Sequence, residues 1–379
     1  MRIVHVTPFY YPVIGGVEEV VRRIAEYMAS KGHDVYVLTY NRLRVGGKHS
    51  LPRNDTIGNV KVVRVKPNFT WSHGTYSSEV PRILEELKPD LVHVHVWRHP
   101  HVFQVVKLKE KLKFKTVIHM HAPFHRLNQL GLITWLYHRV VDLIGRRVLK
   151  GYDAIIALTP YEKRLLIEKL GVESEKVRVI PNGIDDEIFN VNVNMGKSGM
   201  MNENPIILYV GRISKSKNVD LLIKAMRIVT RKRAVKLVLA GPDENLIDKL
   251  NRYARKFNID LHYMGQVLGD EKYKLYSECT IFAHPTVYEA FGIALLEAQA
   301  FGKPCVVTGN GGQLYVAPPG VTSLHAMPNP KDFAEKIVTL LINEGLYERL
   351  GKNARKWASR HLWSKILPEY DKLYSTICT

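Results

Sequence analysis

The chain has 379 residues, 46% hydrophobic and 24% charged, an ordinary globular composition whose length exceeds what one hydrophobic core usually serves. No apolar run is long enough to cross a membrane, no signal peptide is predicted, and three scattered cysteines argue against disulfides or a cysteine metal site. The net charge of +19 favours anionic partners, which include nucleic acid, an anionic membrane and phosphorylated ligands.

The first half of the chain alternates strand-like and helix-like segments. A short β-branched run is followed by a Pro/Gly loop and then by a helical pattern that ends at Gly32. The later strand-like runs read DVYVLTY, VKVVRV, DLVHVHV, KTVIHM, DAIIAL and VRVIPN. Helix-like stretches separate most of them, so this half is predicted to form a parallel, doubly wound sheet.

A second domain is predicted after a break in this rhythm. Residues 181–205 are rich in Asn and Gly, lack periodicity and are typical of an interdomain linker. The alternation then restarts with IILYVGRIS, which predicts a second doubly wound domain. We place the domains at 1–185 and 186–360. Ligands bind at the carboxyl ends of strands in such sheets, so we expect the functional residues there, in a cleft between the domains.

Two loops of the first domain carry candidate ligand groups. Gly15 and Gly16 follow the first strand and would let backbone N–H groups approach a ligand, although they do not complete a dinucleotide fingerprint and could form a plain turn. His119, His121 and His125 end another strand. A zinc site is conceivable, but no nearby carboxylate or cysteine completes it. We therefore predict polar groups that line the cleft, and no metal.

The segment 127–150 predicts a long helix with two unusual sides. One face should pack in the core and consists of Leu130, Ile133, Tyr137, Val140, Ile144 and Val148. The other side mixes apolar and cationic residues, namely Leu132, Trp135, Leu136, Leu143, Arg139, Arg146, Arg147 and Lys150. Such a mixture can lie on an anionic membrane. The alternative is that a second helix covers the apolar residues and water solvates the cations.

The second domain contains a candidate anion site after its first strand. Gly211 permits a tight turn, and Arg212 and Lys217 then stand before the N-terminus of a helix. Two cations beside free N–H groups suit a diphosphate. The alternative is that both are ordinary surface cations.

Two glutamates flank another predicted helix start in this domain. Glu289 lies in the loop after a strand, and Glu297 lies inside the next helix. Residues 291–293 are predicted to begin that helix and to offer free N–H groups. Because carboxylates accept hydrogen bonds from hydroxyls, this arrangement suits a ligand with hydroxyls at both ends and phosphate between them, such as a nucleotide sugar. The alternative is a helix cap and one surface glutamate.

Taken together, these motifs resemble a known family over essentially the whole chain. EAFGIALLE, at 289–297, resembles the Glu-x7-Glu motif of retaining GT-B glycosyltransferases of family 4, also called glycosyl transferases group 1. Further resemblances lie in IGGVE, IPNGID, GRISKSKNVD, GPDEN and the C-terminal LWSKILPEYDKLY. The resemblance implies a GT-B fold, with two doubly wound Rossmann-like domains facing across a cleft. It also implies a final helix at 361–379 that crosses back to the first domain.

The resemblance also implies roles for individual residues. Arg212 and Lys217 would hold the donor diphosphate and stabilise the leaving group, Glu289 would bind the transferred sugar, and His121 would lie near that sugar. The remaining donor contacts implied are Gly15 and Gly16 at the phosphates, Val267 near the base, Phe291, Gly292 and Ile293 through their backbone, and Glu297 at the ribose.

The implied reaction transfers a hexose or N-acetylhexosamine from a nucleotide-diphosphate sugar to an acceptor hydroxyl with retention. The acceptor would be a glycan or a lipid-linked molecule. The chain lacks an Asp-x-Asp metal clamp, so we predict no metal and no cofactor besides the donor substrate. We expect a cytoplasmic enzyme, peripheral on the membrane face if the helix at 127–150 binds lipid. The alternatives are a sugar-nucleotide epimerase and a non-catalytic nucleotide-sugar binder, while no nucleic-acid module is recognisable.

Overall fold

The computed structural model describes residues 1–43, 51–71, 74–121, 124, 131–191 and 204–379. They form two compact units, one of Met1–Asn182 with Ser364–Thr379 and the other of Gly183–Trp363. In the segment 181–205, Ile184 forms a parallel bridge with Leu362, while 192–203 lie outside the described residues.

The strands of the first unit are β1 (Arg2–Val6), β2 (Asp34–Tyr40), β3 (Asn54–Ile57), β4 (Val60–Val65), β5 (Phe69–Trp71), β6 (Gly74–Tyr76), β7 (Leu91–His95), β8 (Lys115–His119), β9 (Ala154–Ala157) and β10 (Val177–Val179). The helices are α1 (Gly16–Ser30), α2 (Glu79–Leu87), α3 (Pro100–Leu112), α4 (Leu132–Lys150) and α5 (Pro160–Leu170).

The strands of the second unit are β11 (Ile206–Val210), β12 (Lys236–Ala240), β13 (Asp260–Tyr263), β14 (Ile281–His284), β15 (Cys305–Thr308) and β16 (Ser323–Ala326). The helices are α6 (Val219–Val229), α7 (Ile247–Lys256), α8 (Gly269–Glu278), α9 (Ile293–Ala300), α10 (Gln313–Val316), α11 (Pro330–Ile342) and α12 (Glu344–Ala358). The last helix, α13 (Trp363–Cys378), lies almost wholly in the first unit.

The main sheet of the first unit has the strand order β10-β9-β8-β7-β1-β2-β4-β3. Its pairs are parallel except for β3, which runs antiparallel to β4. β7 and β9 are buried along their whole length, as expected for strands covered on both faces. α1 covers part of the sheet because its apolar residues recur at helical spacing, with Val20, Val21, Ile24, Ala25 and Met28 buried.

The sheet of the second unit is parallel and has the order β13-β12-β11-β14-β15-β16. The chain moves outward from β11 to β13, returns to pair β14 with β11, and then continues in the opposite direction. This is the strand order of a dinucleotide-binding fold, with its switch point between β11 and β14. The prediction of two doubly wound Rossmann-like domains is confirmed.

The prediction of which face of α4 packs in the core is wrong. Ile133, Val140 and Ile144 are exposed, with Ile133 at 85% and Ile144 at 62% of the accessible surface. Tyr137 and Val148 are only partly buried, and Leu130 lies outside the described residues. The residues that α4 buries are instead His138, Gly145 and Leu149.

Polar and small residues explain this reversal. Asp142 accepts hydrogen bonds from Trp97 Nε1 at 2.8 Å and from Arg98 at 2.8 and 2.9 Å. Gly145 lies so close to Trp97 that an added Cβ would come within 2.5 Å of the indole. The ion pair and this close approach fix the inward side of α4, so its aliphatic side chains point outward. Within the described residues, no helix combines the length and apolar character needed to cross a bilayer.

Candidate functional site

The second unit gathers its predicted functional residues at the switch point of its sheet. The loop after β11 carries Arg212 and Lys217, and the loop after β14 carries Glu289. Because β11 and β14 are hydrogen-bonded neighbours, their carboxyl ends lie side by side. Asn218 links the two loops, since its side-chain amide donates to the carbonyl oxygen of Pro285 at 3.1 Å.

Arg212 is held at the surface by a neighbouring loop. Its guanidinium donates to Glu244 Oε1 at 2.5 Å, and both side chains are about half exposed. The Tyr209 hydroxyl donates to the Arg212 carbonyl oxygen at 3.0 Å. The loops approach so closely that a Cβ on Gly241 would lie 2.1 Å from the Gly211 carbonyl oxygen, which requires glycine there. The guanidinium therefore remains accessible on a fixed backbone.

Lys217 and Glu289 form a direct ion pair between the two loops. Lys217 Nζ donates to Glu289 Oε2, and each side chain is about one-fifth exposed. His284, at the end of β14, has its Nε2 3.9 Å from the same carboxylate oxygen. Burial lowers the pKa of His284 to about 4, so its imidazole is neutral at pH 7. A lysine and a carboxylate thus meet at the switch point beside an uncharged ring.

The backbone around Glu289 is fixed by Gln313, which sequence reasoning missed. The Gln313 side-chain oxygen accepts from the Glu289 N–H at 3.0 Å. Its amide nitrogen donates to the carbonyl oxygens of Thr286, Val287 and Thr308 at 3.0 to 3.2 Å. Gln313 is completely buried, so its one side chain holds the backbone of the loop after β14 through hydrogen bonds inside the protein.

The helix after this loop begins at Ile293, two residues later than predicted. Gly292 is its N-cap, with a left-handed φ of 96° that favours glycine. Phe291 precedes the helix and is buried, with its ring centroid 6.4 Å from Tyr315 and 6.3 Å from His361. Phe291 therefore anchors the turn. The N–H of Leu295 donates to the Gly292 carbonyl oxygen at 3.0 Å, so the first two N–H groups of the helix, those of Ile293 and Ala294, are the ones left without an acceptor inside it.

Glu297 lies on α9 with both carboxylate oxygens contacted. Lys272 Nζ is 2.7 Å from Oε1, and the Tyr276 hydroxyl donates to Oε2 at 2.8 Å. Sequence reasoning missed both partners, which lie on α8. Each carboxylate oxygen can accept a further bond, so Glu297 can still bind ligand hydroxyls. Val267, which precedes α8, is buried.

The predicted residues of the first unit that the structure describes follow its strands β1 and β8. Gly16 begins α1 after β1, and Gly15 is the N-cap in an extended conformation. His121 follows β8, is half-buried and has a left-handed φ of 49°. Its Nε2 lies 3.1 Å from Nδ1 of His95, which ends β7 and which sequence reasoning missed. His125 lies outside the described residues.

His119 and His95 are buried deeper in the same sheet. They are register partners on β8 and β7, and burial lowers their pKa values well below that of a free histidine. Both are therefore neutral at pH 7 and carry no positive charge.

The charges and polar groups of the second unit define what it can bind. Arg212 and Lys217 provide positive charge for an anion, while Glu289 and Glu297 provide acceptors for hydroxyls. The first turn of α9 adds N–H donors next to Glu289. These groups fit an anionic ligand that also carries hydroxyls.

Family models and solved structures agree with this fold. The model for Glycosyl transferases group 1 matches 191–357, and the model for Glycosyltransferase Family 4 matches 14–188. An uncharacterized glycosyltransferase of Methanocaldococcus jannaschii is 29% identical over 99% of this chain and 98% of its own.

Among the solved structures that match almost the whole chain are an enzyme of sucrose synthesis and a protein bound to a sugar nucleotide. Sucrose-phosphate synthase of Thermosynechococcus elongatus has a TM-score of 0.78 at 19% identity, covering 99% of this chain and 98% of its own. HepE of Anabaena, in complex with UDP-glucose, has a TM-score of 0.75 at 19% identity. The match covers 99% of this chain and 100% of HepE. The likeness identifies the fold as GT-B.

Proposed function

Because this chain belongs to the GT-B glycosyltransferases of family 4, we propose that it uses a nucleoside-diphosphate sugar as donor. The chain would transfer a hexose or N-acetylhexosamine to an acceptor hydroxyl with retention at the anomeric carbon. The observation that carries the proposal is the Lys217–Glu289 pair at the switch point of the second unit. The UDP-glucose bound to HepE of Anabaena, a protein of the same fold, supports a donor of this class.

In the proposed mechanism, the two cations act on the donor diphosphate. Arg212 and Lys217 would loosen their ion pairs with Glu244 and Glu289 and donate hydrogen bonds to phosphate oxygens of the donor. The negative charge on these oxygens grows as the bond to the sugar breaks. Charge placed where charge develops stabilises the transition state most. The departing phosphate would take the proton of the acceptor hydroxyl. These two cations would supply the positive charge that a divalent metal ion supplies to the diphosphate in other enzymes. The donor diphosphate would therefore need no metal.

The two glutamates would position the donor without becoming covalently bonded to it. Glu289, released from Lys217, would accept hydrogen bonds from the hydroxyls of the transferred sugar. Glu297 would accept from the ribose while Lys272 and Tyr276 hold its carboxylate in place. Val267 would lie near the base, and Gly15, Gly16 and His121 would meet the phosphates and the sugar from the first unit.

Thermal stabilisation by a panel of UDP- and GDP-sugars tests donor binding, since a ligand that binds only the folded state raises the melting temperature. The panel is run with and without added Mg²⁺ or Mn²⁺, on the wild type and on Arg212→Ala and Glu297→Ala. Arg252→Ala, at an exposed cation on α7, is the matched control. We expect one class of donor to raise the melting temperature of the wild type and of Arg252→Ala without added metal. The same donor should not stabilise Arg212→Ala or Glu297→Ala. No stabilisation by any sugar nucleotide would overturn the proposal.

The acceptor side of the proposal rests on the outer face of α4. Its exposed positions combine aliphatic residues with cations, namely Leu132, Ile133, Leu136, Val140, Leu143, Ile144, Arg139, Arg146, Arg147 and Lys150. Aliphatic groups can enter a bilayer while the cations meet anionic headgroups. We propose that this face docks a cytoplasmic enzyme on an anionic membrane and brings it to a lipid-linked or glycan acceptor.

Cosedimentation with vesicles tests this docking. The wild type should bind vesicles that contain phosphatidylglycerol at low salt, bind neutral phosphatidylcholine weakly, and lose binding as salt screens the cations. Leu136→Glu with Leu143→Glu should reduce the bound fraction at least fivefold, since a carboxylate is unfavourable in lipid. Ile342→Glu, at a 72% exposed aliphatic residue on α11, is the control and should bind normally. Unchanged binding by the double variant would contradict docking through α4.

A further inference from the structure

Four histidines of the first unit share one face of its sheet, and a fifth lies against them. His5 on β1 pairs with His93 on β7, and His95 on β7 pairs with His119 on β8. Directly paired residues of a parallel sheet point the same way, and so do residues two apart on one strand. His121 follows His119 by two residues, and their rings stack with centroids 3.8 Å apart. The register therefore assembles four imidazoles from three strands, and His121 stacks on the imidazole of His119.

Among the described residues, several ring nitrogens in this cluster are buried without a hydrogen-bond partner. Within that part of the chain, both nitrogens of His119 are unpartnered, as are Nε2 of His93 and Nε2 of His5. All three side chains are fully buried. An unsatisfied buried polar atom costs about 1 to 3 kcal/mol, so leaving several together is expensive unless a ligand uses them.

The nitrogens converge in two groups of three. In His5, His93 and His95, and again in His95, His119 and His121, one ring nitrogen of each residue lies within 4.8 Å of the others. Imidazole nitrogens bind zinc at about 2.0 to 2.1 Å, which in a tetrahedral site separates them by about 3.3 Å. Nδ1 of His95 and Nε2 of His121 are already 3.1 Å apart. The third nitrogen, from His119, lies within 4.8 Å of both.

We propose that His95, His119 and His121 bind one divalent transition-metal ion of the zinc class. Neither ring nitrogen of His119 forms a hydrogen bond with any of the described residues, so both can bind a metal ion. His121 is only half-buried, which gives the ion a route from the surface. Three neutral imidazoles favour zinc, cobalt, nickel or copper over magnesium or calcium, which prefer oxygen ligands. Three protein ligands leave a position for water or for an oxygen of a substrate.

The surroundings of His95 match those of a metal-binding histidine. Its Nε2 lies 3.0 Å from Nδ1 of His5. A histidine bound to metal through one nitrogen commonly donates its other N–H to a fixed acceptor, and His5 provides one. The ion would replace the proton that His95 and His121 share. This pattern favours the group with His119 over the group with His93, whose Nδ1 is occupied by the Tyr374 hydroxyl at 2.5 Å.

The inference shares only His121 with the proposed donor contacts. All three ligands lie in the first unit, while the cations and carboxylates proposed to hold the donor, Arg212, Lys217, Glu289 and Glu297, lie in the second. The site can therefore be tested by metal binding alone, and failure to bind metal would leave the donor proposal unaffected.

Metal titration of the full-length chain tests the site. The protein is stripped of metal, titrated with Co²⁺ and followed by its visible absorption, and then loaded with Zn²⁺, dialysed and analysed for metal content. His119→Gln removes a proposed ligand. His93→Gln is the matched control, because it replaces a buried histidine of the same cluster that is not a ligand in the proposal. The melting temperature of each variant confirms that it is folded.

We expect one Zn²⁺ per chain in the wild type and in His93→Gln, with a cobalt spectrum of tetrahedral or five-coordinate type. Folded His119→Gln should lose both signals and bind Zn²⁺ at least tenfold more weakly. The assignment would be overturned by less than about 0.1 metal per folded wild-type chain. Loss of metal in folded His93→Gln, or full binding by His119→Gln, would overturn it as well.

Discussion

At the scale of single residues, the candidate site consists of charges that are already paired. Lys217 contacts Glu289, Arg212 contacts Glu244, and Lys272 contacts Glu297. Paired charges are less costly to bury than isolated ones, so the site is stable before a ligand arrives. In the proposed function, donor binding would then exchange one partner of each charge for another.

The positions of the charged residues could be predicted from the sequence, but their supports could not. Arg212 and Glu289 follow apolar runs, and in a doubly wound sheet such positions lie at the carboxyl edge. Gln313 supports Glu289 from 24 residues away, and Tyr276 reaches Glu297 from 21 residues away. No local pattern marks such partners, because they are selected by the packing of separate elements.

One prediction at this scale concerns pH. Burial lowers the folded-state pKa of His284 to about 4, so below pH 6.5 the unfolded chain binds a proton that the folded chain does not. The part of the free energy of unfolding that depends on His284 is therefore fully present above pH 6.5 and is lost as the pH drops toward 4. Between these values, the loss is about 1.4 kcal/mol per pH unit.

Denaturant unfolding at pH 6.5 and pH 5 measures this effect. His284→Phe, of similar shape, should reduce the loss of stability between these two values by about 2 kcal/mol. An identical loss in the wild type and the variant would show that His284 is not buried as a neutral ring.

At the scale of elements, α4 shows where sequence patterns mislead. Ile133, Val140 and Ile144 recur at helical spacing and predict a buried face, but that face is exposed. The buried side is fixed by Asp142 and Gly145, which periodicity counts as polar or neutral. Hydrophobic spacing locates an apolar stripe, but it does not reveal whether protein or another apolar phase covers it.

A pair of helix glycines tests this packing. An added methyl on Gly145 would lie 2.5 Å from Trp97, whereas one on Gly345 in α12 would have no atom within 4 Å. Gly145→Ala should destabilise the protein by about 1 to 3 kcal/mol through overpacking. Gly345→Ala should be neutral, or stabilising by about 0.4 to 1 kcal/mol, because it restricts the unfolded chain. Thermal unfolding measures both, and equal effects would contradict the close contact of α4 with Trp97.

At the scale of the whole molecule, two sheets of the same design carry different chemistry. Each sheet has a switch point, between β1 and β7 in the first unit and between β11 and β14 in the second. The second unit places cations and carboxylates there, whereas the first places neutral histidines. The net charge of +19 is consistent with anionic partners for both the donor site and the α4 face.

The fold could be predicted from the sequence because alternating strands and helices allow few topologies. A linker rich in Asn and Gly and two repeats of the same rhythm were enough to predict two doubly wound units. The histidine cluster could not be predicted, because His5, His95 and His119 are brought together only by strand order and register.

The most direct test of the central claim is the release of nucleoside diphosphate from the stabilising sugar nucleotide, without added metal, in the presence of candidate acceptors. Lys217→Ala is compared with Lys215→Ala, which removes an exposed lysine two residues away. We predict that the wild type and Lys215→Ala release product at similar rates, while Lys217→Ala is slower by about 10²- to 10³-fold. Equal rates for Lys217→Ala and the wild type would contradict the account of the site.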